Sequence, residues 1–414
     1  MAAPVSSVHV VGGGPAGLIA AERLAQAGVG VTVHDRMPSV ARKLLMAGHG
    51  GLNLTHSETL DRFRARYGPA ADRLTPMLDA FGPDALRQWC ADLGEPTFVG
   101  SSGRVFPASF RAVPLVRAWL RRLAELGVRI ETRTRWTGWT PDGDLRFVAA
   151  DGATAGVHAE ATVLALGGAS WPRLGSDAAW VPLLAERGVL VRPLRPANVG
   201  LRVAWSPVFA DRFAGTPLKH VALTVPRRPG RSTGDAMVTA TGIEGGPVYA
   251  LGVPVREALD DDGRCVLHVD LRPDLTVQDL EQRLSRRRPK ESAPSWLRRS
   301  IGLDAVSTAL LWEAGGGLPT DPAVVAALVK AVPVVVTGTM PIDRAISTAG
   351  GVAWSEVDDL LMLHRLPGTF VAGEMLDWEA PTGGYLLQAC FSTGVVAAGG
   401  VQRWLADHGP AGTV

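Results

Sequence analysis

Gly12, Gly14 and Gly17 stand in the spacing G-x-G-x-x-G, and Asp35 follows about 20 residues later. Those residue types in that order can hold the phosphates and a sugar of a dinucleotide. Gly12 permits a tight turn, Gly14 lets a pyrophosphate approach the backbone, and Gly17 lets a helix pack closely on a strand. Pro15 and Ala16 open that helix, whose free N–H groups and roughly half a positive charge attract phosphate. Asp35 can accept hydrogen bonds from an adenosine ribose, with Arg36 beside it.

The flanking residues read as the elements that would position such a turn. Val8, His9, Val10 and Val11 suit a short buried parallel strand. Leu18, Ile19, Ala21, Leu24 and Ala25 suit a helix ended by Gly28, and residues 29–33 resume a strand that finishes at Asp35. This βαβ unit implies a dinucleotide and leaves FAD and NAD open. Three further segments favour FAD. Residues 42–55 form a long glycine-rich loop carrying Arg42, Lys43, Gly48, His49, Gly50, Asn53 and Thr55. Residues 161–168 read as a hydrophobic strand with Ala165 that ends in Gly167 and Gly168, able to pass beneath a cofactor. Residues 370–377 read as a strand ending in Gly373, Glu374 and Asp377, followed by Gly383, Gly384 and Tyr385 where a last helix begins.

On these residues the chain resembles the two-dinucleotide-domain flavoproteins, and specifically the BaiN-like, aminoacetone-oxidase-like (YhiN-like) flavoprotein family. Arg42-Lys43 with Gly48, Asn53-Leu54-Thr55, Gly103-Arg104-Val105-Phe106-Pro107 and residues 345–352, 372–377 and 382–388 carry the likeness, which runs from residue 8 to about 395. The chain departs at Gly51-Leu52-Asn53, where many members have Arg-Cys-Asn, and at Leu387, where they have Asn; this marks a subgroup. The resemblance implies FAD and an α/β fold: a discontinuous Rossmann-like FAD-binding domain of the glutathione-reductase type, with an inserted β-domain and a helical cap. It further implies that Gly12, Gly14, Gly17 and Asp35 hold the ADP half, with Arg42, Lys43 and Asn53 near the pyrophosphate and flavin. Glu374 or Asp377 would meet ribityl or phosphate hydroxyls. Residues 382–385 would set a helix N-terminus beside the flavin's pyrimidine edge, where the dipole favours an anion by about 0.3–1 kcal/mol.

The expected division is residues 1–195 with 345–414 for the FAD-binding domain, 196–254 with 332–344 for a β-rich substrate domain, and 255–331 for the cap. Val221 to Val225 alternates as a strand does. Thr276 with Asp279, and Asp321 before Pro322, are helix-start signals. A substrate is expected where these domains meet. No second G-x-G-x-x-G follows a strand, since Gly315, Gly316 and Gly317 come after a helix and read as a loop. NAD(P)H is therefore expected only as a transient electron donor, unless oxygen closes the cycle.

The 414 residues are 46% apolar and 20% charged with a formal net charge of +2, which excludes a disordered chain and a chain-wide nucleic-acid or membrane binder. Cys90, Cys265 and Cys390 lie far apart, in no metal-ligand spacing, so no metal is expected. No stretch approaches the roughly 18 apolar residues of a membrane span, and the start lacks the marks of a signal peptide, so a cytoplasmic protein is expected. No hydrolase, metalloenzyme or P-loop signature occurs.

Candidate catalytic residues are His49 as a proton donor, Lys43 as a partner of phosphate or the flavin N5 region, and Tyr385 as a hydroxyl presented to substrate. Each has a plainer reading: a solvent-facing loop histidine, a surface lysine and a packing tyrosine. Arg104 reads as an anion site or a structural ion pair. Trp171 and Trp378 flank the flavin motifs and are expected to shape the pocket. Residues 283–299 hold Arg283, Arg286, Arg287, Arg288, Lys290, Arg298 and Arg299, with Trp296 as the one aromatic available for stacking. A nucleic-acid partner through that run is conceivable, but a solvated helix face is favoured. The leading reading is an FAD-dependent oxidoreductase acting on a small-molecule substrate, reducing a C=C or C=N bond with NAD(P)H. Alternatives are an oxygen-dependent amine or aminoketone oxidase and a reductase of uracil in ribosomal RNA. The oligomeric state stays open.

Overall fold

Apolar runs with no charge between them build buried strands such as Ser7–Val11 and Ala161–Leu164, and five strands lie side by side in parallel, the edge strand Arg129–Thr132 being charged and largely exposed. In a computed structural model, which describes residues 7–47 and 50–408, their order is Thr369–Val371, Ala161–Leu164, Ser7–Val11, Gly30–Asp35 and Arg129–Thr132. Val10 sits between Val163 and Val33 in register. The helix Pro15–Gln26 starts with proline at its first turn and buries Leu18, Ile19 and Leu24. The 24-residue helix Tyr385–His408 packs on it so tightly that a Cβ at Gly394 would lie 2.4 Å from the Ala16 carbonyl oxygen. The two ends of the chain thus share one layer.

Strand order reverses at Ser7–Val11, since the next strand along the chain lies on one side of it and Ala161–Leu164 on the other. Such a reversal opens a crevice beyond the carboxyl ends of the strands. Two small antiparallel three-stranded sheets also belong to this unit. One joins Thr134–Trp139, Leu145–Ala149 and Thr154–Val157; the other joins Thr55–His56, Arg104–Pro107 and Thr97–Val99. The unit comprises Met1–Arg195 and Ser347–Val414, and the second comprises Pro196–Ile346.

The second unit is a closed barrel in the order Leu201–Val203, Gly242–Glu244, Arg231–Thr239, Pro217–Thr224, Cys265–Asp270 and Val332–Thr339. Helices Val277–Leu284, Ala293–Ile301, Ala305–Gly315 and Pro322–Lys330 share its core, with Leu280, Trp296 and Val325 packed among Val221, Leu267 and Val336. Thr276 and Asp279 form the reciprocal capping box, and Asp321 caps the helix that Pro322 opens. The barrel uses a strand where the sequence reading placed a helical cap: Cys265–Asp270 pairs with both Pro217–Thr224 and Val332–Thr339. The helix Gly252–Asp262 in turn begins inside the stretch read as β-structure. Among the described residues no helix is long and apolar enough to cross a membrane.

Candidate cofactor site

The Gly12 turn bends where the sheet reverses. Its φ is +109°, and a Cβ there would meet the Ala165 carbonyl oxygen at 2.2 Å, so the two strand ends touch through bare backbone. A Cβ at Gly17 would lie 2.0 Å from the Gly12 carbonyl oxygen, which is the helix-on-strand packing read from the motif. Gly14 differs: a Cβ there would meet nothing within 4 Å. Protein packing does not require that glycine, whereas a ligand close to the backbone would. No side chain caps the helix it precedes, so the first-turn N–H groups face the crevice.

The crevice is an open cavity whose empty space, solvent included, is about 1050 Å³. Gly12, Gly14, Pro15, Ala16, Asp35, Arg36, Arg42, Lys43, Ala165, Gly167, Gly373 and Glu374 of the expected set line it. Asp35 accepts hydrogen bonds from the N–H groups of Gly13 (2.9 Å) and Met37 (2.8 Å). A carboxylate has about four acceptor sites, so two remain for ribose hydroxyls. Burial raises the Asp35 pKa, against the pull of those two N–H groups and of Arg36 and Arg42. Lys43 Nζ donates to Glu374 and to Ser170 Oγ, both at 2.7 Å, while the other Glu374 oxygen accepts from the Thr348 N–H at 3.1 Å. This network ties the short helix Arg42–Ala47, which stands where the sequence reading placed the start of a loop, to the C-terminal segment.

Gly17 and Gly168 sit behind the lining, Gly168 against the Thr348 side chain. Asp377 does not line the cavity, so of the two acids only Glu374 does; burial raises the Asp377 pKa. Gly50, Asn53, Thr55, Gly383, Gly384 and Tyr385 also lie outside the lining. Within that group, a Cβ at Gly384 would lie 2.5 Å from the Thr55 Cα. Among the described residues the Asn53 Oδ1 and Thr55 Oγ1 atoms are buried without a hydrogen-bond partner. The Tyr385 hydroxyl donates to Glu58 at 2.5 Å, and Glu58 is held by Arg66 at 2.8 and 3.0 Å. Burial first, then Glu58, pushes the Tyr385 pKa up, while Arg66 chiefly pulls the Glu58 pKa down. Tyr385 is thereby held protonated with its proton already committed. Gly48 and His49 lie outside the described residues.

Sequence reading missed several lining residues. The tryptophans at the cavity are Trp136 and Trp180, not Trp171 or Trp378; Trp378 is buried and donates to the Gly373 carbonyl at 2.9 Å. Ser176 and Asp177 line it as well, as does Cys390, whose thiol burial pushes up to about 12. Nothing local marks them. The stacking residue of the basic run is unavailable: Trp296 is fully buried, donates to the Leu284 carbonyl at 3.0 Å and is covered by Arg287. Arg299 is engaged with Glu291.

The donor set fits a dinucleotide such as FAD. Uncapped N–H groups and Arg36, Arg42, Arg135 and Lys43 suit a pyrophosphate, and Asp35 suits a ribose. Among the described residues, His34 Nδ1, Arg36 Nε, Arg42 Nε, Trp136 Nε1 and Ser176 Oγ are buried without a hydrogen-bond partner, and all five residues line this cavity. Buried polar atoms are rarely left unpaired, and a bound polar ligand would account for several of these.

The family model described as the HI0933-like protein Rossmann domain matches residues 6–400. A relative from Clostridium scindens, named 3-dehydro-bile acid delta(4,6)-reductase, is 26% identical over 406 residues, covering 95% of this chain and 98% of its own. One from Haemophilus influenzae, named ribosomal RNA dihydrouridine synthase, is 23% identical over 416 residues, covering 95% and 98%. The solved 3-ketosteroid delta1-dehydrogenase of Sterolibacterium denitrificans, in complex with 1,4-androstadiene-3,17-dione, superposes with a TM-score of 0.53 at 13% identity, covering 96% of this chain and 100% of that one. That last likeness is one of fold.

Proposed function

We propose, from the premise that this chain belongs to the HI0933-like Rossmann-domain family of FAD-dependent oxidoreductases, that it reduces a C=C bond of a small organic substrate with electrons from NAD(P)H. The observation that carries the reading is the cavity at the sheet reversal, where uncapped helix N–H groups, Asp35 and unpartnered buried side-chain atoms converge. The names of both relatives, a delta(4,6)-reductase and a dihydrouridine synthase, describe addition of hydrogen to a substrate, which favours reduction over amine oxidation.

When bound, FAD supplies the hydride transfer. The chain's own groups do the holding. The first helix and the Gly14 gap take the phosphates, and Asp35 takes ribose hydroxyls. Lys43, fixed by Glu374 and Ser170, sets a positive charge on the wall. Arg42 adds a second. Tyr385 orders the loop around Glu58 rather than giving up its proton, since its hydroxyl is already spent on that carboxylate.

Anaerobic mixing tests the reaction. NADH or NADPH is expected to bleach the flavin absorbance rapidly, and an enone substrate to restore it. Bleaching by an amine or aminoketone, with no response to NAD(P)H, would establish the oxidase alternative. Protein that stays colourless after incubation with FAD would refute the whole reading.

A further inference from the structure

The segment after the Gly167-Gly168 strand end crosses the cavity wall in a conformation its residues do not favour. Trp171 at φ +64° and Ala178 at φ +59° are both left-handed, with Gly175 at φ +111° between them. Left-handed backbone at residues with a Cβ persists only where surrounding contacts impose it, and it clusters at ligand clamps. The far end is pinned: the Ala178 N–H donates to the Gly168 carbonyl at 3.1 Å and Trp180 Nε1 to the Gly167 carbonyl at 2.8 Å. The middle is tied to the residue that follows Asp35. Arg36 pairs with Asp177 at 3.0 Å and donates to the Pro172 carbonyl at 2.9 Å. Ser176 is the most buried part of the segment; its Oγ faces no protein partner among the described residues, and it lines the cavity.

We propose that residues 171–178 form a clasp over the ADP half of the bound dinucleotide, with the Arg36–Asp177 pair as its latch and the Ser176 hydroxyl as a donor to an oxygen of that half. The inference rests on the FAD reading above and assigns it two positioning residues, Ser176 and Asp177, that the glycine motif does not contain. The latch closes the acid end of the cavity, so its effect falls on cofactor release rather than capture. Ser176 has no protein bond to lose, so removing its hydroxyl leaves the cofactor-free fold intact.

The test follows FAD release from the holoenzyme by the rise in free-flavin fluorescence on dilution, with thermal melting of both cofactor-free and loaded protein. Asp177→Asn is expected to speed release about fivefold. Ser176→Ala is expected to weaken FAD binding about tenfold while the melting temperature of the cofactor-free protein is unchanged. If Asp177→Asn instead tightens FAD, Asp177 repels the phosphates and the latch is refuted. Destabilised cofactor-free Ser176→Ala with normal release would make the serine a packing residue and overturn its assignment. Wild-type protein that binds no FAD would sink the cofactor reading itself, whereas wild-type binding with unaltered release from both variants sinks the clasp alone.

Discussion

The two units treat buried polarity in opposite ways. Of the twelve buried side-chain polar atoms without a partner among the described residues, ten lie in the sheet unit and only Thr239 Oγ1 and Ser300 Oγ in the barrel unit. The barrel pairs its buried charge internally: Asp270 meets Lys330 at 2.8 Å and Arg231 at 3.4 Å, and Lys330 also donates to the Arg272 and Leu275 carbonyls. In the sheet unit five of the ten, on His34, Arg36, Arg42, Trp136 and Ser176, line the cavity beyond its strands. A group of unsatisfied atoms beside one cavity is costly to a fold that binds nothing there. The difference supports the proposal that the cofactor is held in the sheet unit.

The sharpest way to break that comparison is at two neighbouring glycines. Gly17→Ala forces a Cβ against backbone at 2.0 Å and is expected to cost about 3 kcal/mol in urea unfolding. Gly14→Ala has open space, so the cofactor-free protein should stay within about 1 kcal/mol of wild type yet lose FAD in a titration. Unchanged FAD affinity in Gly14→Ala would move the phosphates elsewhere. Next in size, Lys43→Met strands the buried Glu374 carboxylate, expected to lower stability by about 2 kcal/mol. Adding Glu374→Gln should recover part of that loss; additive effects would mean the pair is not coupled.

Acid supplies a smaller lever. His9 and His34 touch at 2.9 Å on adjacent strands, and His34 lies against Phe147. Burial, with His9 adding to it, lowers the His34 pKa from 6.5 to about 4; burial also lowers the His9 pKa, with Arg129 next. Glu131 stands 3.4 Å from His34 Nδ1 but is more than half exposed and does not reverse the effect. A lowered pKa means the folded state keeps these rings neutral, so the stability they add is full above pH 6.5 and declines below it, that of His34 being lost as pH falls towards about 4. Urea unfolding should show stability falling by no more than about 1.4 kcal/mol per pH unit per ring, with a shallower slope in His34→Phe. The smallest effect is expected in the barrel unit. Replacing Arg286, Arg287 and Arg288 by Ala should leave retention of ribosomal RNA unchanged in a salt titration. Salt-sensitive loss of binding would return the RNA reading to contention.

What was readable along the chain was whatever acts over short range. The Gly12–Gly14–Gly17 turn, the Asp35 strand end and the caps at Thr276 and Asp321 all depend on neighbours within a few residues, and each has its expected geometry. The strand Cys265–Asp270 was also readable, because Cys265, Leu267 and Val269 are buried in a period of two; the helices around it drew the stretch into a cap. Ser176 and Trp180 carried no local signal, since they reach the cavity after the strand Ala161–Leu164, whose partner Ser7–Val11 lies far back along the chain; Trp136 sits on a hairpin strand whose local pattern did not show where it would point. Tyr385 reads as able to present its hydroxyl to a substrate, but Glu58, 327 residues away, takes that hydroxyl.

Chain chemistry alone thus pointed to a glycine turn and an acid suited to a dinucleotide, because backbone freedom and carboxylate charge belong to the residues themselves. Which polar atoms are left without a partner, which acid faces the cavity and which wall closes over it were decided only by the fold. Those outcomes depend on distances between segments that covalent order does not specify, and hydrogen-bond energy depends steeply on such distances.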